Sequence, residues 1–269
     1  MVYACIIGFI LTAYYFYNKF IRWNPTIPPI LNTDNLFIYG HRGVPSHAPE
    51  NTLYSFQKAF ELNVHGVELD VQITKDNVLV VHHDAHLEKL TGRKIFISTL
   101  TYKELLSVDA RGKNFHSLEI QRIPRLEDVL EILPENIAIN IEIKSQQLFS
   151  EGMEKPILEA ILKYNLLNRT IVSSFNPLRI RKIKSLNSKI TTAQLWDKGD
   201  EFTSINWIYI SRPDLFHGNI NHFNESIISS LKSLRLKIYA YTVNSVDQFE
   251  KVKRLKLHGI FTDNPTVFK

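Results

Sequence analysis

Short apolar segments alternate with helical segments from residue 36 to the end of this 269-residue chain. The clearest apolar segment is 137–144, where strict alternation leaves one strand face aliphatic and the other carrying Asn140, Glu142 and Lys144. Strands that alternate with helices form parallel sheets covered by those helices. One strand each is predicted near residues 38, 69, 140, 172, 192, 209, 240 and 260. Eight such strands predict an α/β fold, a TIM-type (β/α)8 barrel, with an open doubly wound sheet as the alternative.

Further elements are predicted around these strands. Residues 78–83 should form a hairpin arm on strand 2, because only three residues join the two segments. A small, less regular insertion follows, in which Thr101 and Glu104 have the spacing of a helix capping box. The sixth strand is placed at 207–211, where apolar and aromatic residues alternate. Helices are predicted over residues 126–133, 154–166, 177–186, 224–234 and 246–255.

The N-terminal residues have a different composition from the rest of the chain. No charged side chain occurs between Met1 and Asn18, and Lys19 and Arg22 follow directly. We therefore predict a single-pass transmembrane helix within residues 1–23, with the following domain in the cytoplasm because the basic residues come after the apolar stretch. A helix that packs on the domain is the alternative. A cleavable signal peptide is disfavoured, because a basic first region and a small-residue cleavage site are missing.

Proline residues separate this stretch from the predicted barrel. Pro25, Pro28 and Pro29 prevent a regular helix, so residues 24–35 are predicted to be an extended linker and 36–269 the globular domain. The single cysteine excludes an intramolecular disulfide and a thiolate metal cluster. The net charge of +5 comes from scattered residues, so no nucleic-acid partner is predicted. An anionic small molecule or an anionic membrane surface would fit this charge.

Acidic side chains converge at the predicted ends of two strands. Glu68 and Asp70 lie on the same face of strand 2 because strand side chains alternate. Two such carboxylates repel each other unless a cation or a proton lies between them. With Glu142 they supply three hard oxygen donors, which favour Mg²⁺, Ca²⁺ or Mn²⁺ over Zn²⁺ or Cu²⁺. The alternative is that each carboxylate pairs with a nearby lysine or arginine.

Five short motifs follow one another in the first part of the predicted domain. They are His41-Arg42-Gly43, Pro49-Glu50-Asn51-Thr52, Glu68-Leu69-Asp70-Val71, Thr74-Lys75-Asp76 and Val81-His82-His83-Asp84. In these motifs and their spacings the chain resembles the glycerophosphodiester phosphodiesterase family, over about residues 36 to 265. The resemblance implies hydrolysis of glycerophosphodiesters to sn-glycerol 3-phosphate and an alcohol, with one divalent cation on Glu68, Asp70 and Glu142. It also implies that the glycerol 2-hydroxyl could attack first, through a cyclic phosphate.

Histidine and basic residues complete the predicted site. His41 and His83 are the predicted acid and base, because imidazole titrates near neutral pH and the resemblance places the catalytic histidines at these positions. Arg42 and Lys144 are predicted to bind the non-bridging oxygens of the phosphate. Lys144 could instead pair with Glu142 or Glu68. His82 points to the opposite strand face from His83 and is predicted to be structural.

Two other functions stay open at this stage. The first is the same chemistry on a lysophospholipid, which would release lysophosphatidic acid. The second is a catalytically inactive barrel that binds a phosphorylated ligand. An inactive barrel would be expected to lack a catalytic histidine or a metal carboxylate, and the sequence keeps all five.

Overall fold

A closed barrel of eight parallel strands forms the body of the protein. The computed structural model describes residues 2–17, 23–33, 35–112, 114–144, 152–198 and 204–268. The barrel strands are β1 (Phe37–Gly40), β2 (Gly66–Ile73), β4 (Ala138–Ile143), β5 (Thr170–Ser174), β6 (Thr191–Trp196), β7 (Leu215–Asn219), β8 (Lys237–Tyr241) and β9 (Gly259–Thr262). Strand β1 pairs in parallel with both β2 and β9, which closes the sheet. The predicted TIM-type barrel is therefore confirmed, and the open sheet is wrong.

Helices follow most of the strands and cover the outside of the barrel. They are α2 (Leu53–Glu61), α5 (Leu126–Ile132), α6 (Glu154–Lys163), α7 (Pro177–Leu186), α9 (Glu225–Ser233) and α10 (Val246–Leu255), with the short α3 (Glu88–Thr91), α4 (Tyr102–Leu105) and α8 (Ile208–Ser211). Polar caps fix where several of them begin. The Thr52 side chain accepts from the Ser55 amide at α2, and Ser245 and Gln248 form a capping box at α10.

The predicted hairpin arm and insertion both lie beside β2. Strand β3 (Leu79–Val81) pairs antiparallel with β2 and is the one antiparallel strand among the described residues. Between β3 and β4, a small apolar cluster of its own includes Leu87, Ile97 and Leu105, all buried. The capping box of Thr101 and Glu104 opens α4 within this insertion. The insertion therefore lies beside β2, the strand that carries Glu68 and Asp70.

The predicted strand at 207–211 is wrong. Residues Ile205–Trp207 form a 3₁₀ turn and Ile208–Ser211 form α8, while the barrel strand is β7. Aromatic and β-branched side chains favour a strand at 207–211, but the way these side chains pack in the tertiary structure determines which conformation forms. Ile208 and Ser211 are buried, and Arg212 ends the turn in the left-handed region with φ of 49°. The sequence of β7 contains Gly218 and Asn219, which weaken a strand prediction.

The residues between 23 and 33 lie against the N-terminal end of the barrel. Leu31 is fully buried with the interior rings of Phe37 and Tyr239. The indole N–H of Trp23 donates to the Pro213 carbonyl at 2.7 Å, and the Thr26 amide donates to Asp214 Oδ1 at 2.9 Å. This end of the barrel is therefore covered, and the opposite end is the one open to a ligand.

The predicted transmembrane anchor is wrong. The N-terminal helix α1 (Val2–Phe16) has 15 residues, about 22 Å at 1.5 Å per residue, whereas a bilayer core is about 30 Å thick. No helix within the described residues is both long and apolar enough to cross a membrane. Lys19 and Arg22 lie outside the described residues, and the cytoplasmic placement that depended on the anchor falls with it. The packed alternative is also wrong, because Phe9 is 76% exposed.

Candidate active site

A tight turn after β1 starts the site at the C-terminal end of the barrel. Arg42 and Gly43 both have positive φ, 51° and 86°. A Cβ on Gly43 would lie 2.8 Å from the backbone carbon of Ser55, so only glycine fits against α2. The turn directs the backbone N–H of Arg42 to Glu68 Oε2, 2.8 Å away. The first βα turn is thereby fixed to the neighbouring strand.

The three predicted metal carboxylates lie together. One oxygen each of Glu68, Asp70 and Glu142 falls within 4.8 Å of the others, and all three residues are buried. Asp70 and Glu142 are directly paired positions of β2 and β4, which explains their closeness. Asn51 Nδ2 donates to Asp70 Oδ2 at 2.8 Å and orients that side chain. Three hard oxygen donors at this separation fit a cation of the Mg²⁺ or Ca²⁺ type.

Two basic side chains border the carboxylates. Lys144 Nζ lies 2.7 Å from Glu142 Oε1 and 3.3 Å from Asp70 Oδ1. Arg42 Nε lies 3.4 Å from Asp70 Oδ2, and its Nη1 donates to Glu50 Oε2 at 3.2 Å. Three acids and two bases leave one negative charge, which a divalent cation would convert into one positive charge. That positive charge would complement the single negative charge of a phosphodiester.

The two carboxylates of β2 have pKa values shifted in opposite directions. Burial, together with the charge of Asp70, raises the pKa of Glu68 from 4.5 to about 8. Burial also acts against ionisation of Asp70, but Lys144 and Arg42 outweigh it, so the pKa of Asp70 lies below its ordinary value. With the protein's own charges alone, this cluster holds a proton at neutral pH. The cluster is therefore suited to exchange that proton for a cation.

The raised pKa of Glu68 predicts a pH-dependent stability in EDTA. The folded protein keeps a proton that the unfolded chain has lost between about pH 4.5 and 8, so the free energy of unfolding should fall as the pH rises through this range. In Glu68→Gln this side chain cannot titrate, so the free energy of unfolding should fall less steeply with pH. Urea denaturation at several pH values measures both slopes. Glu159→Gln, at an exposed helix position, is the control, and equal slopes for Glu68→Gln and wild type would contradict the prediction.

Both predicted catalytic histidines are bound by a carboxylate through the same ring nitrogen. His41 Nδ1 lies 2.7 Å from Asp263 Oδ1, and His83 Nδ1 lies 2.7 Å from Asp84 Oδ1. Burial lowers the pKa of His41, but the hydrogen bond to Asp263 and the charge of Glu68 outweigh it, and the pKa is raised. Burial dominates at His83, so its pKa is lowered. The two imidazoles therefore differ in acidity within one site.

Glu68, Glu142 and both histidines border one cavity of about 260 Å³. Its near side carries His41, Arg42, Glu68, His83, Glu142 and Lys144, and its far side carries Phe175, Leu195, Asp197, Asn219 and Tyr241. The rings of Phe175 and Tyr241 meet edge to face, with centroids 6.3 Å apart. The hydroxyl of Tyr241 donates to the Trp196 carbonyl at 2.7 Å, which holds its ring against the cavity. The cavity thus has one side that is densely charged and another that combines aromatic and aliphatic residues with Asp197 and Asn219.

Comparison with known proteins places this site in a family. The model of the glycerophosphoryl diester phosphodiesterase family matches residues 41–267. The chain belongs to this family. It is an enzyme of the phosphoric diester hydrolase class, and family members hydrolyse glycerophosphodiesters. The resemblance seen in the five sequence motifs is therefore confirmed.

Relatives of the family cover nearly the whole globular domain. A glycerophosphodiester phosphodiesterase of Caldanaerobacter subterraneus subsp. tengcongensis is 32% identical over 231 residues, which cover 85% of this chain and 94% of the relative. The crystal structure of the glycerophosphodiester phosphodiesterase from Thermotoga maritima has a TM-score of 0.70 and 29% identity, covering 85% of this chain and 95% of that one. An Oleispira antarctica phosphodiesterase in complex with the product sn-glycerol-3-phosphate has a TM-score of 0.71 and 24% identity, covering 85% and 93% of the two chains.

The residues predicted from the sequence to form the site lie together at this cavity. His41, Arg42, Glu68, His83, Glu142 and Lys144 border it, and Asp70 completes the carboxylate cluster. Lys144 contacts Glu142, one of the two partners in the alternative for this residue, and also contacts Asp70. His82 is buried and does not border the cavity.

Sequence reasoning missed two side chains beyond the family motifs. Asp263 binds His41, and Asn244 Nδ2 donates to the other oxygen of Asp263 at 2.6 Å. Asp263 directly follows β9, and Asn244 lies three residues after the end of β8. Polar residues at the C-terminal ends of barrel strands were the available signal. That rule identifies the end of the barrel, but not which side chain meets which.

Proposed function

We propose that this protein is a metal-dependent glycerophosphodiester phosphodiesterase that releases sn-glycerol 3-phosphate and an alcohol. One observation carries the proposal: two carboxylate-bound imidazoles border the same cavity as Glu68 and Glu142, which form a buried carboxylate cluster with Asp70. Phosphodiester hydrolysis needs a base for the attacking oxygen, an acid for the leaving alkoxide, and stabilisation of the charge on the phosphoryl oxygens. The chain offers a group for each of these needs.

The phosphate would lie on the charged side of the cavity. Glu68, Asp70 and Glu142 would hold Mg²⁺ or Ca²⁺, and a cation bound there would act as a Lewis acid that offsets charge on the phosphoryl oxygens. Arg42 and Lys144 would donate to the non-bridging oxygens as their negative charge grows. Lys144 is already held at the cluster by Glu142 and Asp70, so it needs little reorganisation to act.

The two histidines would move the protons. Because Nδ1 of each ring is occupied by a carboxylate, Nε2 is the nitrogen left to face a substrate. One imidazole would accept a proton from the attacking hydroxyl, and the other would donate one to the leaving oxygen. Their opposite pKa shifts support a division into one acid and one base. Phe175 and Tyr241 would form the wall against the rest of the substrate.

A comparison of two substrates tests this function. We expect the purified protein with Mg²⁺ or Ca²⁺ to hydrolyse glycerophosphocholine, with kcat/KM at least about tenfold above that for lysophosphatidylcholine, a difference of about 1.4 kcal/mol. The reason is size, because a cavity of about 260 Å³ leaves a long acyl chain outside. Phosphorus NMR of the products distinguishes glycerol phosphate from lysophosphatidic acid.

The outcomes of this assay separate the three functions. A clear preference for the acylated substrate would reject our proposal in favour of lysophospholipid hydrolysis. Binding of the substrate without turnover would favour the inactive barrel. His41→Ala, purified in the same way, is the control for a contaminating hydrolase, and its activity should fall with the proposed mechanism.

A further inference from the structure

We propose that Asp263 is a positioning residue that fixes the orientation and tautomer of His41, and that Asn244 in turn holds Asp263. This inference rests on the proposed function, because it requires that His41 transfer a proton in the reaction. Asp263 lies beyond the motifs at the start of the domain, 222 residues after His41 in the sequence. It meets His41 only because β9 pairs with β1 where the barrel closes.

The contact itself is well defined. Asp263 Oδ1 lies 2.7 Å from His41 Nδ1, and the His41 amide donates to the Thr262 carbonyl at 2.9 Å. The side chains of His41 and Asp263 are 19% and 28% exposed, so water competes only partly for this contact. A carboxylate can only accept, so neutral His41 must carry its proton on Nδ1. Its Nε2 is then an acceptor, which faces the substrate in a fixed direction.

Asn244 clamps the carboxylate from its other side. Its Nδ2 donates to Asp263 Oδ2 at 2.6 Å, and its Oδ1 accepts from the Asp263 amide at 2.9 Å. Asn244 is itself fixed, since its amide donates to Gln248 Oε1 at 2.8 Å within the capping box of α10. The start of α10 therefore supports Asn244, Asn244 supports Asp263, and Asp263 supports His41. Both oxygens of Asp263 are thereby held, one by His41 and the other by Asn244.

Loss of the carboxylate that orients His41 should lower kcat. We expect Asp263→Asn and Asp263→Ala each to lower kcat for glycerophosphocholine by about 10- to 100-fold, the range typical of residues that orient a functional histidine, with little change in KM. Asn244→Ala should give a smaller loss. Glu88→Gln, which removes the carboxylate 3.8 Å from His86 outside the cavity, is the matched control and should behave as wild type.

Two readouts distinguish positioning from a structural role. The first is a second substrate, the p-nitrophenyl ester of glycerol phosphate, whose leaving group needs no proton. The ratio of losses on the two substrates should be the same for Asp263→Ala as for His41→Ala, because both changes remove one function. The second is nitrogen-15 NMR of the His41 ring with Mg²⁺ present. Neutral His41 should be the Nδ1–H tautomer in wild type and shift toward the Nε2–H tautomer in Asp263→Ala.

The results separate this inference from the function on which it rests. Wild-type kcat in both Asp263 variants, with His41→Ala inactive, would overturn the inference and leave the proposed function standing. The same holds if activity falls but the tautomer and the substrate ratio differ from these expectations. Wild-type activity in His41→Ala would instead remove His41 from the proposed mechanism, and this inference with it. Asp263→Asn keeps the shape of the side chain, so it tests the inference even where Asp263→Ala is poorly folded.

Discussion

Removal of divalent cations should reduce the turnover of glycerophosphocholine by about a thousandfold or more. A cation at Glu68, Asp70 and Glu142 would offset several kcal/mol of charge in the transition state, and each 1.4 kcal/mol is a factor of ten. Without it, the cluster lacks the net positive charge that would attract an anionic substrate. Activity should be measured after treatment with EDTA and after return of Mg²⁺, Ca²⁺, Mn²⁺ or Zn²⁺. The hard cations should restore it best.

Thermal unfolding provides an independent readout of the same site. A cation that binds only the folded protein raises Tm in a concentration-dependent manner. Glu142→Gln should abolish both the rise in Tm and the turnover, whereas Glu159→Gln, at an exposed position on α6, should keep both. Full turnover in protein shown by elemental analysis to be free of metal would contradict the proposed role of the carboxylates. A rise in Tm that persists in Glu142→Gln would place the cation elsewhere.

The sequence predicted those parts of the structure that depend on local pattern. Glu68 and Asp70 share a strand face because strand geometry repeats every two residues. The same rule places Glu142 on one face of β4, and the pairing of β4 with β2 brings it beside Asp70. The hairpin at β3 likewise depends on few neighbouring residues. Local rules therefore placed each carboxylate on its strand face, and the pairing of β2 with β4 brought them together.

Features that depend on tertiary packing were not predictable in the same way. The segment 207–211 has strand-forming residues, yet the barrel uses the weaker sequence of β7 because it is the one that fits between β6 and β8. The uncharged N-terminal stretch indicated a membrane span, but composition does not state where a helix ends. The meeting of Asp263 with His41 depends on closure of the whole barrel. Each of these outcomes is set by residues far apart in the sequence.

His41→Ala and His83→Ala should each lower kcat for glycerophosphocholine by at least about a hundredfold, as loss of a general acid or base does. The fold should persist, because both side chains lie at the rim of the cavity and are 19% and 31% exposed. The variant that lacks the acid should recover much of its relative activity on the p-nitrophenyl ester, whose leaving group needs no proton. The variant that lacks the base should be impaired on both substrates, which assigns the two roles.

Measuring each variant on both substrates needs a control variant and a test of folding. His86→Ala is the control, because this histidine belongs to the insertion and does not border the cavity. Circular dichroism and the cation-dependent rise in Tm should match wild type in all three variants, which excludes unfolding as the cause of a loss. Wild-type turnover in His41→Ala or His83→Ala would remove that histidine from the mechanism. Equal losses on both substrates in both variants would show that neither imidazole protonates the leaving oxygen. The acid would then have to be another group at the cavity. Lys144 would be the first candidate, because its ammonium contacts the carboxylate cluster.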